Sequence, residues 1–206
     1  MCAALLVAPL AYANTIGLTI TDASPPGTLS GTEQIGGGAI AYVGVPYGFS
    51  IDGWEGSVTG TTYPADGSPS QPMLDLNTIL IQSIGTGNLV ITFGATGYTG
   101  LGASYLYVGG TSLTGTFAAW YDPNNGLMTT PAGDELGSEA LGAGGVSGAR
   151  IGASNYSLTE VVTITGGAPG SMDTILTIPD GGITVMMLGS ALIGLVAVRS
   201  KFSRKA

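Results

Sequence analysis

Between Asn14 and Gly182, few stretches run far without a glycine or a proline, which leaves little room for an α-helix in the body of this chain. A helix interior is weakened by about 1 kcal/mol at each Gly and about 3 kcal/mol at each Pro, relative to Ala. Glycine supplies 36 of the 206 residues, far above its average share of ~7%. What lies between these breakers is short, rich in Thr, Val, Ile and Tyr, and bounded by Gly, Pro, Asn or Asp, the pattern of strands and turns. Nine strands are expected, at 16–21, 39–45, 57–63, 78–82, 89–93, 104–108, 115–121, 158–165 and 174–178. In the eighth, Leu158, Glu160, Val162 and Ile164 fall on one face and Thr159, Val161, Thr163 and Thr165 on the other, which suits a sheet with one face buried and one wet. Residues 166–170, Gly-Gly-Ala-Pro-Gly, then read as a hairpin loop between the last two strands. The segment 125–148 reads as a long loop with a brief helix over 134–141. The expected fold is all-β, an antiparallel β-sandwich with the jelly roll as one of its forms, occupying residues 14–178.

The inventory of reactive side chains is short. The chain has no histidine, and its one cysteine is Cys2. Imidazole ligands, His-based triads, thiolate metal sites and disulfides are therefore excluded from the body. Thirteen acids face the lone Arg150 between residues 14 and 182, a net charge of −12 where the whole chain carries −8. Such a surface repels phosphate backbones, so nucleic acid is not an expected partner. A glycosidase would need two carboxylates facing each other across a cleft. The densest acidic group, Asp134, Glu135 and Glu139, lies in the segment read as a loop, where solvation is the commoner fate. No catalytic residue is assigned, and the body is expected to be noncatalytic. Asp122-Pro-Asn-Asn-Gly126 has oxygen-rich side chains of the kind calcium takes, but it is complete as a type I turn, with Pro second and Gly closing it. Neither a metal nor another cofactor is expected. Trp54, Trp120 and most of the tyrosines sit in or beside expected strands, where packing is their default role. Gathered into an exposed flat strip, they would instead suit a carbohydrate- or calcium-dependent binding module.

Both ends of the chain carry apolar segments. Residues 1–13 read as a signal peptide ending in Ala11-Tyr12-Ala13, which signal peptidase would cut to leave Asn14 first. No Lys or Arg precedes Leu5, so a basic n-region would have to lie upstream of Met1. A buried N-terminal strand or helix is the plainer alternative. At the other end, Pro179-Asp180-Gly181-Gly182 stops a strand, because Pro has no N–H for the ladder and the glycines favour a turn. Residues 183–198 carry no charge and would span ~24 Å as a helix, short of the ~30 Å hydrocarbon core. Flanking residues can make up the difference by snorkelling. The tail 199–206 holds Arg199, Lys201, Arg204 and Lys205, four of the chain's five basic residues. By the positive-inside rule this end stays cytoplasmic, with the body across the membrane. A C-terminal helix buried in the fold would leave those four cations without an explanation.

The order of turn motif, apolar helix with spaced small residues (Gly189, Ser190, Gly194) and basic end resembles the PEP-CTERM class of bacterial sorting signals. It is most similar to the variant whose motif reads Val-Pro-Asp-Ser-Gly. Here Ile178 stands for the Val and Gly181 for the Ser, while Pro179, Asp180 and Gly182 match. The resemblance covers roughly residues 178–206. It implies export by a signal peptide, a transient inner-membrane anchor, and processing near the motif by an exosortase, an integral-membrane enzyme. It further implies a Gram-negative-type envelope and a place at the cell surface or in an extracellular matrix, with exopolysaccharide or biofilm as context. The activity of the body does not follow from it.

Overall fold

The computed structural model describes residues 16–23, 26–31, 42–63, 72–98, 102–110, 112–151 and 155–178. These residues are all-β. Twelve strands run in chain order: β1 (Ile16–Ala23), β2 (Pro26–Gly31), β3 (Tyr42–Ile51), β4 (Trp54–Tyr63), β5 (Met73–Ser83), β6 (Leu89–Tyr98), β7 (Gly102–Gly109), β8 (Leu113–Asp122), β9 (Glu135–Ala140), β10 (Gly144–Ile151), β11 (Tyr156–Gly167) and β12 (Gly170–Thr177). They form two six-stranded antiparallel sheets, ordered β2-β1-β6-β11-β8-β9 and β10-β7-β12-β5-β4-β3. The inner faces meet in one core, with Trp54, Phe93, Phe117, Ile79 and Leu158 fully enclosed between them.

Alternation places the side chains. In β7, Ser104, Leu106 and Val108 are buried while Ala103, Tyr105 and Tyr107 are exposed. In β11, Leu158, Glu160, Val162 and Ile164 point into the core. Strand β5 breaks its own rhythm: Leu74 and Leu76 are buried, then Ile79 and Ile81. The extra residue is a bulge, because Met172 and Thr174 of β12 face Ile79 and Leu76, and Thr59 and Thr61 of β4 face Thr78 and Asp75. One residue too many between matched partners reverses which parity faces inward.

Strands stand at all nine expected places as far as the described residues reach, residues 39–41 lying outside them, and three expectations are corrected. Residues 134–141 are not helical: Glu135–Ala140 is an edge strand paired with β8. It buries Leu136 and holds its place through the backbone ladder, so its polar sequence carries almost no hydrophobic signature of a strand. The long loop expected over 125–148 is likewise interrupted by β9 and the start of β10. Residues 166–170 do not close a hairpin, since β11 and β12 belong to different sheets. The buried faces of both strands need a partner across the core, and a hairpin would set them side by side in one sheet instead. The crossing is pinned to the approach of β8, where Ala168 N–H donates to Ser112 O at 3.1 Å and Ser112 Oγ donates to Ala168 O at 3.0 Å.

Candidate functional site

Three acids among the described residues are buried, Asp22, Asp122 and Glu160, and Glu160 lies deepest, in the core. Glu160 on β11 is completely buried, with Oε2 3.4 Å from the hydroxyl of Thr174 on the opposite sheet and Oε1 without a hydrogen-bond partner. Burial holds its carboxyl well above the usual carboxylate range, and the negative charge of Asp75 adds to this; the Thr174 hydroxyl and the Leu176 backbone act in the lowering direction without cancelling it. A carboxyl group so enclosed is held as the neutral acid over a wide span of pH. Two tyrosines complete the polar seam of the core. The rings of Tyr98 and Tyr156 lie 5.9 Å apart between centroids. Tyr98 Oη hydrogen-bonds the Thr62 hydroxyl and donates to Met73 O at 3.3 Å.

The second polar feature lies outside, on the face of the β10-β7-β12-β5-β4-β3 sheet turned away from the core. Tyr105 and Tyr107 are each 40% exposed, and they are the large hydrophobic side chains left open to solvent among the described residues. The ladder fixes their neighbours: Tyr107 is in register with Ile175 and Gly145, Gly109 with Asp173, and Ile175 with Asp75. Asp75 is half-buried beside the β5 bulge. The Asn77 amide, with its nitrogen toward the acid, donates to Asp75 Oδ1 at 2.6 Å and to Thr61 Oγ1 at 3.2 Å. Burial, and then the charge of Asp173, push the Asp75 carboxyl up to about 6. Burial also raises that of Asp173.

The other expected positions fall elsewhere. Trp54 is a core residue, its Nε1 donating to Thr86 O at 3.4 Å, and Trp120 is half-buried on β8 in the other sheet, in register with Thr159 and Glu135. Neither joins Tyr105 and Tyr107, so the strip is narrower than the aromatic content alone suggests. Glu135 is exposed, and Asp134 and Glu139 are half-buried. Asp122 accepts hydrogen bonds from Asn124 N–H at 2.7 Å, Gly126 N–H at 3.2 Å and Thr129 Oγ1 at 2.7 Å, while Asn125 N–H closes the turn on Asp122 O at 3.0 Å. Its carboxylate is thus engaged by protein donors, as the turn reading requires. The sorting motif Pro179, Asp180, Gly181 and Gly182, the basic residues Arg199, Lys201, Arg204 and Lys205, and the cleavage positions Ala11, Ala13 and Asn14 all lie outside the described residues, as does the apolar segment 183–198. No helix among the described residues is long and apolar enough to cross a membrane.

Sequence reading missed Tyr105 and Tyr107 as a pair and Asp75 with Asn77 as a unit. The first was signalled by two aromatics on the wet parity of an alternating strand. The second was signalled by the parity break between Leu76 and Ile79. No protein-family model matches the chain, and no curated protein matches it.

Proposed function

We propose that this chain is an exported, noncatalytic cell-surface or extracellular-matrix protein, delivered through a signal peptide and sorted by an exosortase-type membrane enzyme acting on residues 179–206. One observation carries the reading: Pro179-Asp-Gly-Gly182, sixteen uncharged residues and a tail with four of the five cations follow in that order. The domain that precedes them suits such delivery. Its last strand ends at Thr177, and Ile178, fully buried, donates its N–H to Pro72 O at 2.9 Å. The described part of the body is thus held in the fold up to the residue before the motif.

The strand order supports the jelly-roll form of the sandwich. Strands β5 to β12 fall into two four-stranded groups, β5-β12-β7-β10 and β6-β11-β8-β9, the interleaving of an eight-stranded double Greek key. Strands β1 and β2 extend one group past β6, and β3 and β4 extend the other past β5. A fold of this kind hosts many functions, so it names neither a role nor a ligand by itself. The exposed pair Tyr105 and Tyr107 favours a second reading, a carbohydrate-binding module within the same exported protein.

In its native host, the body is expected to be digested by protease added to intact cells, or to be recovered from the medium. Full-length chain recovered only from the cytosol would contradict the proposal.

A further inference from the structure

We propose that the outer face of the β10-β7-β12-β5-β4-β3 sheet binds an amine-bearing polysaccharide, with Tyr105 and Tyr107 stacking on sugar rings and Asp173 and Asp75 receiving the ammonium groups. The inference rests on the reading of the chain as an exported protein that meets extracellular glycans, and it names the class of glycan.

Tyr105 and Tyr107 alternate onto one face of β7, about 7 Å apart along the strand. Both lean onto glycines. The Tyr107 ring lies 2.8 Å from the position a Cβ would occupy at Gly109, and Tyr105 fills the same space at Gly145 on β10. A side chain at either glycine would push the ring off the sheet, so these positions keep each ring low while leaving it open to solvent. A sugar's apolar face stacks well on a ring held in this way.

Charge then selects the ligand. Asp173 is the register partner of Gly109, the residue over which Tyr107 leans, and Asp75 stands on the next strand over, in register with Ile175. Both acids thus lie within two strands of the ring, about 10 Å at strand spacing. Arg150, the one base of the body, is in register with Ala103 at the opposite end of β7, about 20 Å along the strand from Gly109. With −12 on residues 14–182, a polyuronate is repelled and an ammonium-bearing polymer attracted.

The test uses the full-length chain purified in detergent, so its outcome is independent of where the protein resides in the cell; a failure of export would appear in fractionation and not here. Calorimetric titration compares three hexasaccharides: β-1,4-linked glucosamine, its fully N-acetylated counterpart, and mannuronate. Glucosamine hexamer is expected to bind at least ten-fold more tightly than the acetylated form, and mannuronate not at all. Tyr107→Ala and Tyr105→Ala should each weaken binding ten-fold or more with an unchanged melting midpoint. Asp173→Asn should reduce the preference for the amine several-fold while leaving the fold intact. Mannuronate binding as tightly as glucosamine, equal binding of the acetylated and free-amine forms, or undiminished binding by a folded Tyr105→Ala/Tyr107→Ala variant would each overturn the proposal.

Discussion

Glu160→Gln is expected to make this protein more stable at neutral and alkaline pH and to flatten its stability profile above pH 6. An exposed or unfolded glutamate titrates near 4.3, whereas the enclosed Glu160 carboxyl titrates well above that. Between those two values the folded state holds a proton that the unfolded state has released, so stability falls as pH rises. The slope is about 1.4 kcal/mol per pH unit for one group, or about 3–5 °C of melting temperature per pH unit for a chain of this size. Below the unfolded value the penalty is absent, and above the folded value it is at its greatest. Asp75 acts in the same direction over a narrower window, from its ordinary value to about 6. Glutamine keeps the shape of the neutral acid and has no proton to lose. Thermal melts between pH 5 and pH 9 should therefore show the wild type declining throughout the range in which Glu160 titrates. The variant should decline only below pH 6, where Asp75 still contributes. Superimposable profiles for the two proteins would mean that Glu160 is not the neutral, enclosed acid described above.

Asp122→Ala, at the end of β8, should carry a large loss, because Asp122 anchors the loop that follows. The substitution removes the acceptor for Asn124 N–H, Gly126 N–H and the Thr129 hydroxyl together. Hydrogen bonds to a charged acceptor are worth about 1.5–3 kcal/mol each, and the abandoned donors are partly buried. A net loss of about 3 kcal/mol is expected, with the loop's other anchors limiting the damage. Those anchors include Asn125, held at φ +60° with Oδ1 accepting Gly97 N–H at 2.7 Å, and Met128, which lies over Gly17 and Gly94. Burial acts to raise the Asp122 pKa, but the bonds from Thr129, Asn124 and Gly126 outweigh it and the net shift is downward. Its stabilisation is accordingly present above its ordinary value of 3.8 and is lost as pH falls through the lowered one. Because protein donors occupy the carboxylate, adding a chelator should leave the melting midpoints of both wild type and variant unchanged. A chelator-sensitive wild type would restore calcium to this loop.

How far the fold was legible in the sequence depended on how much each strand buries. Strands such as β7 and β11 alternate apolar and polar residues cleanly, and both were recognisable at once. Strand β5 is legible only from Thr78 onward, because the bulge sets Leu74 and Leu76 on one parity and Ile79 and Ile81 on the other. Strand β9 resembles a helix in sequence because a strand with the single core residue Leu136 is specified by the backbone of β8 rather than by its own pattern. The crossing at 166–170 looked like a hairpin because glycine and proline mark a turn without saying which sheet receives the next strand. For the site, sequence could place Glu160 on the same face as Leu158 and Val162. It could not show that the opposite sheet closes over that face, which is what makes the acid neutral. Exposure is a property of the assembled sheets, so Trp54 and Tyr107 were indistinguishable as candidates until one proved enclosed and the other open.

Mass spectrometry of the mature protein from its native host tests the central proposal most directly. Processing at the membrane predicts an N-terminus at Asn14 and a C-terminus within residues 179–182, with the cationic tail absent from exported material. Exported protein that retains Ala206 would contradict it.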